Sequence, residues 1–540
     1  MYTYICKKAS MKNIIVILFI LIISGVSYAN IIIVSATGSG EYNSIQEGIN
    51  ASVSGDTVLV MPGVYFEYID FTGKDIVVAS YYLLSGDTSI INQTVINGNH
   101  QNSRLVRFCG GETHAARLIG FTITNAFDDT PVATPPVIGL GIYINNSSPT
   151  IEHNKIRDNE FGGWYSCGGG IVAKNSSAII RYNDVIRNNY AFWGGGIYLD
   201  SCSNVVIDNN YIAQQFLTSG YGVAEGGGIY ILQSNNITIK NNLIEENYLD
   251  YGNGAAITAW ACADLLLTNN ILCNNRSSNY KSELHFLGAQ GKMIGNLMYN
   301  NKYLNNRLRI ELEGSQLDVI NSTIISNNYY AIKCSNSTLN VFNSVLNNPA
   351  DTVAGSQIIL DNSILLIENS NLESDTAGVI FNSSSSCSFT DLISSDPMFS
   401  GLAGSPYSLS FYSPCIDKGS VDTTGFNLPV FDLAGEPRIE NGRIDMGAYE
   451  YPYYLSVNKP VRNLVFTIIP NPVKNSFTIL TDDYIKGELS YCVFNIHGQV
   501  VMKGSIQTDT QIQSNNLKPG IYFIEITQNH EKGMQRLVKL

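Results

Sequence analysis

Ile151-Glu152-His153-Asn154-Lys155-Ile156-Arg157-Asp158-Asn159, answered 29 residues later by Ile180-Arg181-Tyr182-Asn183-Asp184-Val185-Ile186-Arg187-Asn188, is the phrase on which the fold turns. An apolar residue is followed by Asn three positions on, by a second apolar residue two after that, and by a polar, Asn-rich end. The Asn or Ser column runs Asn154, Asn183, Asn210, Asn242, Asn270, Asn296, Ser322 and Ser344, at intervals of 29, 27, 32, 28, 26, 26 and 22 residues. Two residues beyond each member stands an apolar one: Ile156, Val185, Ile212, Ile244, Leu272, Met298, Ile324 and Leu346. An offset of two is one face of a strand, so each repeat supplies an inward-pointing aliphatic rung.

A Gly-rich phrase falls between these and keeps step with them: Gly139-Leu140-Gly141-Ile142, Gly-Gly-Gly-Ile at 168 to 171, 194 to 197 and 226 to 229, and the degenerate Gly254-Ala255-Ala256-Ile257. Short strands joined by a tight Asn turn and a Gly-rich entry predict coils of a solenoid, two strands per turn, rather than hairpins. Asn suits such a turn because it tolerates the left-handed backbone region, and successive amides can ladder along the stack. At a strand spacing of about 4.8 Å, residues 31 to 400 make on the order of 13 coils and a rod of roughly 60 Å. A β-propeller would need about 40 or more residues per blade, longer than the observed step. Cys202 and Cys262 share a small-residue column with Ser176 and Ser234, two coils apart; at about 9.6 Å they are beyond disulfide reach.

Outward from the repeats, only 14% of residues are charged, Gly numbers 47, and the net charge is -13, a balance that favours an all-β protein and opposes binding to phosphate backbones. Nucleic acid is excluded as a partner on that ground. Lys7, Lys8 and Lys12, the apolar run Ile14 to Ile23 and the small-x-small site Ser27-Tyr28-Ala29 read as a signal peptide over 1–29, cleaved between Ala29 and Asn30. The run is too short to span a bilayer, which takes about 20 residues.

Ser44-Ile45-Gln46-Glu47-Gly48-Ile49, Gly55-Asp56-Thr57-Val58, Pro62-Gly63-Val64-Tyr65 and Ile119-Gly120-Phe121-Thr122-Ile123-Thr124-Asn125 resemble the opening of pectin-lyase-like β-helices. The resemblance implies a right-handed parallel β-helix over 30–400, with Ile45 to Ala51 as a cap helix. Ser413-Pro414-Cys415-Ile416-Asp417-Lys418-Gly419, Asp432 to Ile439 and Asp445-Met446-Gly447-Ala448-Tyr449-Glu450 resemble the choice-of-anchor Q region. This resemblance makes 401–451 a C-terminal cap whose Asp417, Asp432, Arg438, Asp445 and Glu450 knit it together. After a linker at 452–465, Ile468-Ile469-Pro470-Asn471-Pro472, Asn495 to Val501 and Leu517-Lys518-Pro519-Gly520-Ile521-Tyr522-Phe523 are similar to the type A sorting domain of the type IX secretion system. That implies engagement of the type IX machinery by 466–540 and delivery outside or onto the surface of a Gram-negative cell. Alternating residues with turn signals at Asp482-Asp483, His497-Gly498 and Pro519-Gly520 predict a small antiparallel, Ig-like β-sandwich there.

No His has Gly on both sides, against a polygalacturonase-type hydrolase; a polysaccharide lyase with Ca²⁺ stays open, although no local motif fixes its ligands. The loops before the Gly phrases carry Phe161, Trp164 and Tyr165, then Tyr190, Phe192 and Trp193, then Tyr221, then Tyr248 and Tyr251. Aromatic rings with polar edges suit sugars, making Trp164, Tyr165, Phe192, Trp193, Tyr221 and Tyr251 glycan-binding candidates. Arg157, Asp158, Glu160, Arg187, Glu225, Glu246 and Asp250 are the catalytic candidates, able to bind hydroxyls or move protons. Two functions are open: a monomeric surface or adhesion module binding extracellular polysaccharide, and a lyase acting on acidic glycans.

Overall fold

The computed structural model describes residues 29–540, apart from 102–103, 129–138, 163–166, 219–222, 279–281, 301–308, 326–330, 348–356, 374, 403, 440–441, 453–465, 482–487, 496–499, 508–509, 529–530 and 540. The signal peptide through Tyr28, Trp164, Tyr165, Tyr221, most of the linker, and the turns at Asp482-Asp483 and His497-Gly498 lie outside the described residues.

A single coil shows how the chain winds. Ile142–Asn145 enters one sheet, Thr150–Glu152 a second and Lys155–Arg157 a third, and the next coil repeats the series at Ile171–Lys174, Ile179–Arg181 and Asp184–Ile186. Sheets 1, 2 and 3 contain 12, 14 and 12 strands, each pairing in parallel with its counterpart one coil on, so the chain is a right-handed β-helix. Three strands per turn replace the expected two. What reads as one phrase about the Asn column is two strands: Asn154 sits at a corner between them, and one residue of turn does not interrupt the apolar alternation enough to be seen.

The aliphatic column is a true rung series. Ile156, Val185, Ile212, Ile244, Leu272, Met298, Ile324 and Leu346 are directly paired along sheet 3 and are buried. Together with the inward residues of the other sheets they form one continuous core from Val34 to Val379. Burying each such side chain stabilises by about 1.5–3 kcal/mol relative to exposure. The N-terminal opening is covered by the helix Ile45–Ala51, whose Ile45, Gly48 and Ile49 are buried and whose first turn is capped by Ser44, accepting from the Glu47 N–H at 3.1 Å.

The corner differs from expectation in one respect. The left-handed residues are the predecessors of the column, His153 (φ 57°), Tyr182 (55°), Asn209 (54°), Asn241 (56°) and Asn269 (51°), not the column itself. The column Asn residues point inward instead. Asn183 Nδ2 donates to Asn210 Oδ1 at 3.0 Å, Asn210 Nδ2 to Asn242 Oδ1 at 3.0 Å and Asn242 Nδ2 to Asn270 Oδ1 at 3.0 Å, while the same oxygens accept backbone N–H groups. A second buried ladder, Asn159, Asn188, Gln215, Asn247 and Asn275, lines the corner after sheet 3. Cys202 and Cys262 are free thiols flanking Ser234, and burial pushes both up to about 11.

Residues 396–451 lie along the outer side of sheet 3 rather than over the open end. Asn269 Nδ2 donates to the Phe431 carbonyl, Asn321 Nδ2 to the Asp445 carbonyl, and Gly447 N–H to the Asn343 carbonyl, on three different coils. Asp432, Arg438, Asp445 and Glu450 are buried and knit this flank: Arg438 pairs with Glu450 at 3.1 Å, Asp432 accepts the Glu450 N–H, and Asp445 accepts from Asp417 and Tyr451. Beyond the linker, strands Phe466–Ile469, Ser476–Thr481 and Gln511–Gln513 form one antiparallel sheet. Glu488–Asn495, Val500–Gln507, Gly520–Gln528 and Glu531–Lys539 form another, around a separate core that includes Phe477, Val493 and Ile524.

Candidate functional site

The corner after sheet 3 gathers most of the charged candidates into one row. Asp158, Arg187, Gln214 and Glu246 occupy the same left-handed position on successive coils, φ between 51° and 59°, which turns each side chain outward. Arg157 Nη1 donates to Asp158 Oδ2 at 3.0 Å, Arg187 donates to both Asp158 oxygens at 2.8 and 3.1 Å, and Gln214 Nε2 donates to Glu246 Oε2 at 2.8 Å. The Asp158 carboxylate raises Arg187 further above its usual value. Ion pairs this exposed are worth about 0–1 kcal/mol each, so the row is a hydrogen-bonding surface more than a structural brace.

Beside it runs a strip of rings. Phe216–Leu217, Tyr248–Leu249 and Arg276–Ser277 form a small parallel sheet. Tyr190, 44% exposed, meets Phe216 edge-on with centroids 5.6 Å apart; Phe216 stacks on Tyr248 at 5.2 Å; and the Arg276 guanidinium lies 4.9 Å over Tyr248. Glu160 pairs with Phe127 nearby, and Asp250 and Tyr251 are exposed at the loop edge. Phe161 is buried and fills space.

Phe192, Trp193 and Glu225 part from this group. Phe192 is buried against Trp193, and Trp193 stacks toward Tyr230, itself stacked on Tyr198 at 5.5 Å, on the outer face of sheet 1. One outward column of that sheet reads Tyr198, Tyr230, Thr258, His285, Glu311 and Lys333. The adjacent one reads Leu232, Trp260, Leu287 and Glu313. Glu225 Oε1 lies 3.7 Å from His285 Nδ1, Glu313 Oε1 lies 3.5 Å from His285 Nε2, and Lys333 Nζ donates to Glu311 at 2.9 Å. Burial pulls Lys333 down, and Glu311 with its neighbours more than reverses this, so the lysine is raised. Trp260 is 43% exposed beside these groups.

His285, Glu311, Glu313 and Lys333 were missed in sequence because the Gly phrase that marks sheet 1 ends at Gly254. The next coils carry Glu283 and Arg309 where Ala256 and Gly228 stood, and those two pair with each other in the interior. The alternation of Leu284-His285-Phe286 against Ile310-Glu311-Leu312 was the available signal. Ca²⁺ does not fit the cluster: it takes six to eight oxygen ligands, whereas the one metal-competent group among the described residues, His285, Glu311 and Glu313, offers an imidazole nitrogen and two carboxylates.

Coils of this kind, with an export tail, define a right-handed parallel β-helix protein that leaves the cell. Residues 79–275 match the family described as the right handed beta helix region, and residues 467–540 match the secretion system C-terminal sorting domain. The chain therefore contains both, and the tail directs it to the type IX machinery and to a secreted or cell-surface location. No curated protein matches. Among solved structures, XylC in complex with xylose is 12% identical with a TM-score of 0.37, covering 94% of this chain and 99% of that one. The Streptococcus pneumoniae surface protein and adhesin PfbA is 14% identical with a TM-score of 0.27, covering 64% and 93%. Tailspike protein 2 of bacteriophage CBA120 is 10% identical with a TM-score of 0.27, covering 92% and 73%. These are likenesses of fold alone.

Proposed function

We propose that this protein is a binder of extracellular polysaccharide displayed on or released from the surface of a Gram-negative cell, gripping its ligand along the corner after sheet 3. The observation that carries the reading is the strip Tyr190, Phe216, Tyr248 and Arg276 running parallel to the row Arg157, Asp158, Arg187, Gln214 and Glu246. Each coil adds a ring or a cation and a polar group at a step of about 4.8 Å, so a linear polymer lying along the rod meets the same chemistry repeatedly. Rings give apolar faces and edges to sugar C–H groups, and the polar row exchanges hydrogen bonds with hydroxyls.

A second reading, β-elimination on an acidic glycan, is favoured by the close set of His285, Lys333, Glu311 and Glu313 on sheet 1 with Glu225 beside it. One experiment separates them. The purified full chain is presented to a glycan panel and incubated with acidic polysaccharides while absorbance of unsaturated products is followed. Binding without products, weakened at least tenfold by Tyr190→Ala with Tyr248→Ala, supports the binder. New absorbance abolished by His285→Ala or Lys333→Met assigns a lyase. Neither signal removes both readings.

A further inference from the structure

His285 is 3% exposed, and neither ring nitrogen has a hydrogen-bond partner among the described residues. A buried polar atom left in that state forfeits the hydrogen bonds it made to water, and here there are two on one ring. The groups facing the nitrogens are carboxylates, Glu225 at 3.7 Å from Nδ1 and Glu313 at 3.5 Å from Nε2, with Glu311 next along sheet 1. One donor atom from each of His285, Glu311 and Glu313 lies within 4.8 Å of the others.

We propose that His285, Glu311 and Glu313 form a binding site for a divalent transition-metal ion of the zinc class, and that Glu225 is the positioning residue that orients the imidazole. Three observations converge on it. Two ligands about 2.0–2.1 Å from a tetrahedral ion stand about 3.3 Å apart, close to the 3.5 Å from Nε2 to Glu313. Glu225, 3.7 Å beyond the other nitrogen, is placed to accept a hydrogen bond from Nδ1–H once it closes on the ring, which leaves the Nε2 lone pair toward the ion, the usual carboxylate, histidine, metal series. The donor set agrees as well: an imidazole nitrogen and two carboxylates within 4.8 Å of one another are ligand types that zinc takes. Glu311 is buried and holds Lys333 with one oxygen, while the Glu313 side chain is 43% exposed and gives an ion its way in from solvent. Zinc-class ions accept nitrogen and oxygen together with four ligands, so water can complete the shell.

The test uses the purified full chain, stripped with a chelator, titrated calorimetrically with Zn²⁺ and, for a spectroscopic signature, with Co²⁺. One equivalent is expected, with visible Co²⁺ absorption of a low-coordinate nitrogen and oxygen site. His285→Ala should weaken binding at least 100-fold, and Glu313→Gln, a near-isosteric change at a half-exposed side chain, at least tenfold. Glu225→Gln should weaken it roughly 10- to 100-fold while keeping one equivalent. Lys333→Met removes the competing cation and should tighten it, and His114→Ala, on another face, should change nothing. The proposal is overturned if Zn²⁺ does not bind saturably, if neither His285→Ala nor Glu313→Gln weakens binding, or if Ca²⁺ displaces Zn²⁺ at equal concentration.

Discussion

Asn210 uses every polar atom of its side chain. Its Nδ2 donates to Asn242 Oδ1 and to the Ile180 and Asp208 carbonyls, and its Oδ1 accepts from Asn183 N and Nδ2. Asn210→Ala therefore strands partners on the coils either side, and should cost about 2–4 kcal/mol in urea unfolding. Asn210→Ser should cost roughly half as much, because Ser322 and Ser344 already accept the backbone N–H of the column residue one coil earlier and donate to a carbonyl two residues back. Asp445 makes a different prediction. Burial pushes its carboxyl up to about 6, against backbone donors from Asp417 and Tyr451 that pull it down. Between about pH 4, the ordinary value, and pH 6 the folded state holds a proton that the unfolded chain has lost, so this contribution is full below the window and declines as pH rises through it. Burial moves Glu450 in the same direction. Hydrogen-exchange protection of residues 413–451 should accordingly be higher at pH 4.5 than at pH 7, and Asp445→Asn should reduce the difference to the part that Glu450 contributes.

At the scale of elements, the outer face of sheet 3 changes character along the rod. Its outward column reads Lys155, Asp184, Tyr211, Leu243, Ile271, Leu297, Thr323, Val345 and Asn371. The first five members, Lys155 to Ile271, are partly exposed, whereas Leu297, Thr323, Val345 and Asn371 are buried because the flank of residues 396–451 covers them. Val345→Asp should thus release the flank, seen as rapid proteolysis within 413–439, and cost about 3 kcal/mol, while Leu243→Asp, outside the flank, should cost less than about 1 kcal/mol. The switch from charged to apolar residues was visible in the repeats, but not its cause. An outward apolar column is indistinguishable by periodicity from an inward one until something is seen lying on it. The candidate loops show the same limit: Asp158, Arg187 and Glu246 fall on one corner because they share a register position, with Arg157 one residue before it, whereas Glu225, directly before a Gly phrase, lies against His285 of sheet 1.

Over the whole molecule, the rod and the tail have cores without a shared residue. Removing residues 467–540 should leave the urea transition of the β-helix unchanged while abolishing export, so that the protein accumulates inside the producing cell, read by immunoblot of cell and medium fractions. Within the rod each coil contacts its neighbours, so stability is built from successive interfaces, and a defect such as Asn210→Ala should lower protection most in the adjoining coils. The solenoid, the rung residues, the Asn and Ser ladder, the N-terminal helix and the export tail were legible in the residues alone. The first three are short phrases that recur every 22 to 32 residues, so strand alternation and parallel stacking act on each repeat alike, and the last two are contiguous segments with their own local signals. The third strand in each turn, the flank along sheet 3, and the meeting of Glu225 with His285, Glu311 and Glu313 emerged with the folded chain. Those contacts join residues from 26 to 162 positions apart across loops of unequal length, and stacking register, rather than any spacing along the chain, brings them within reach.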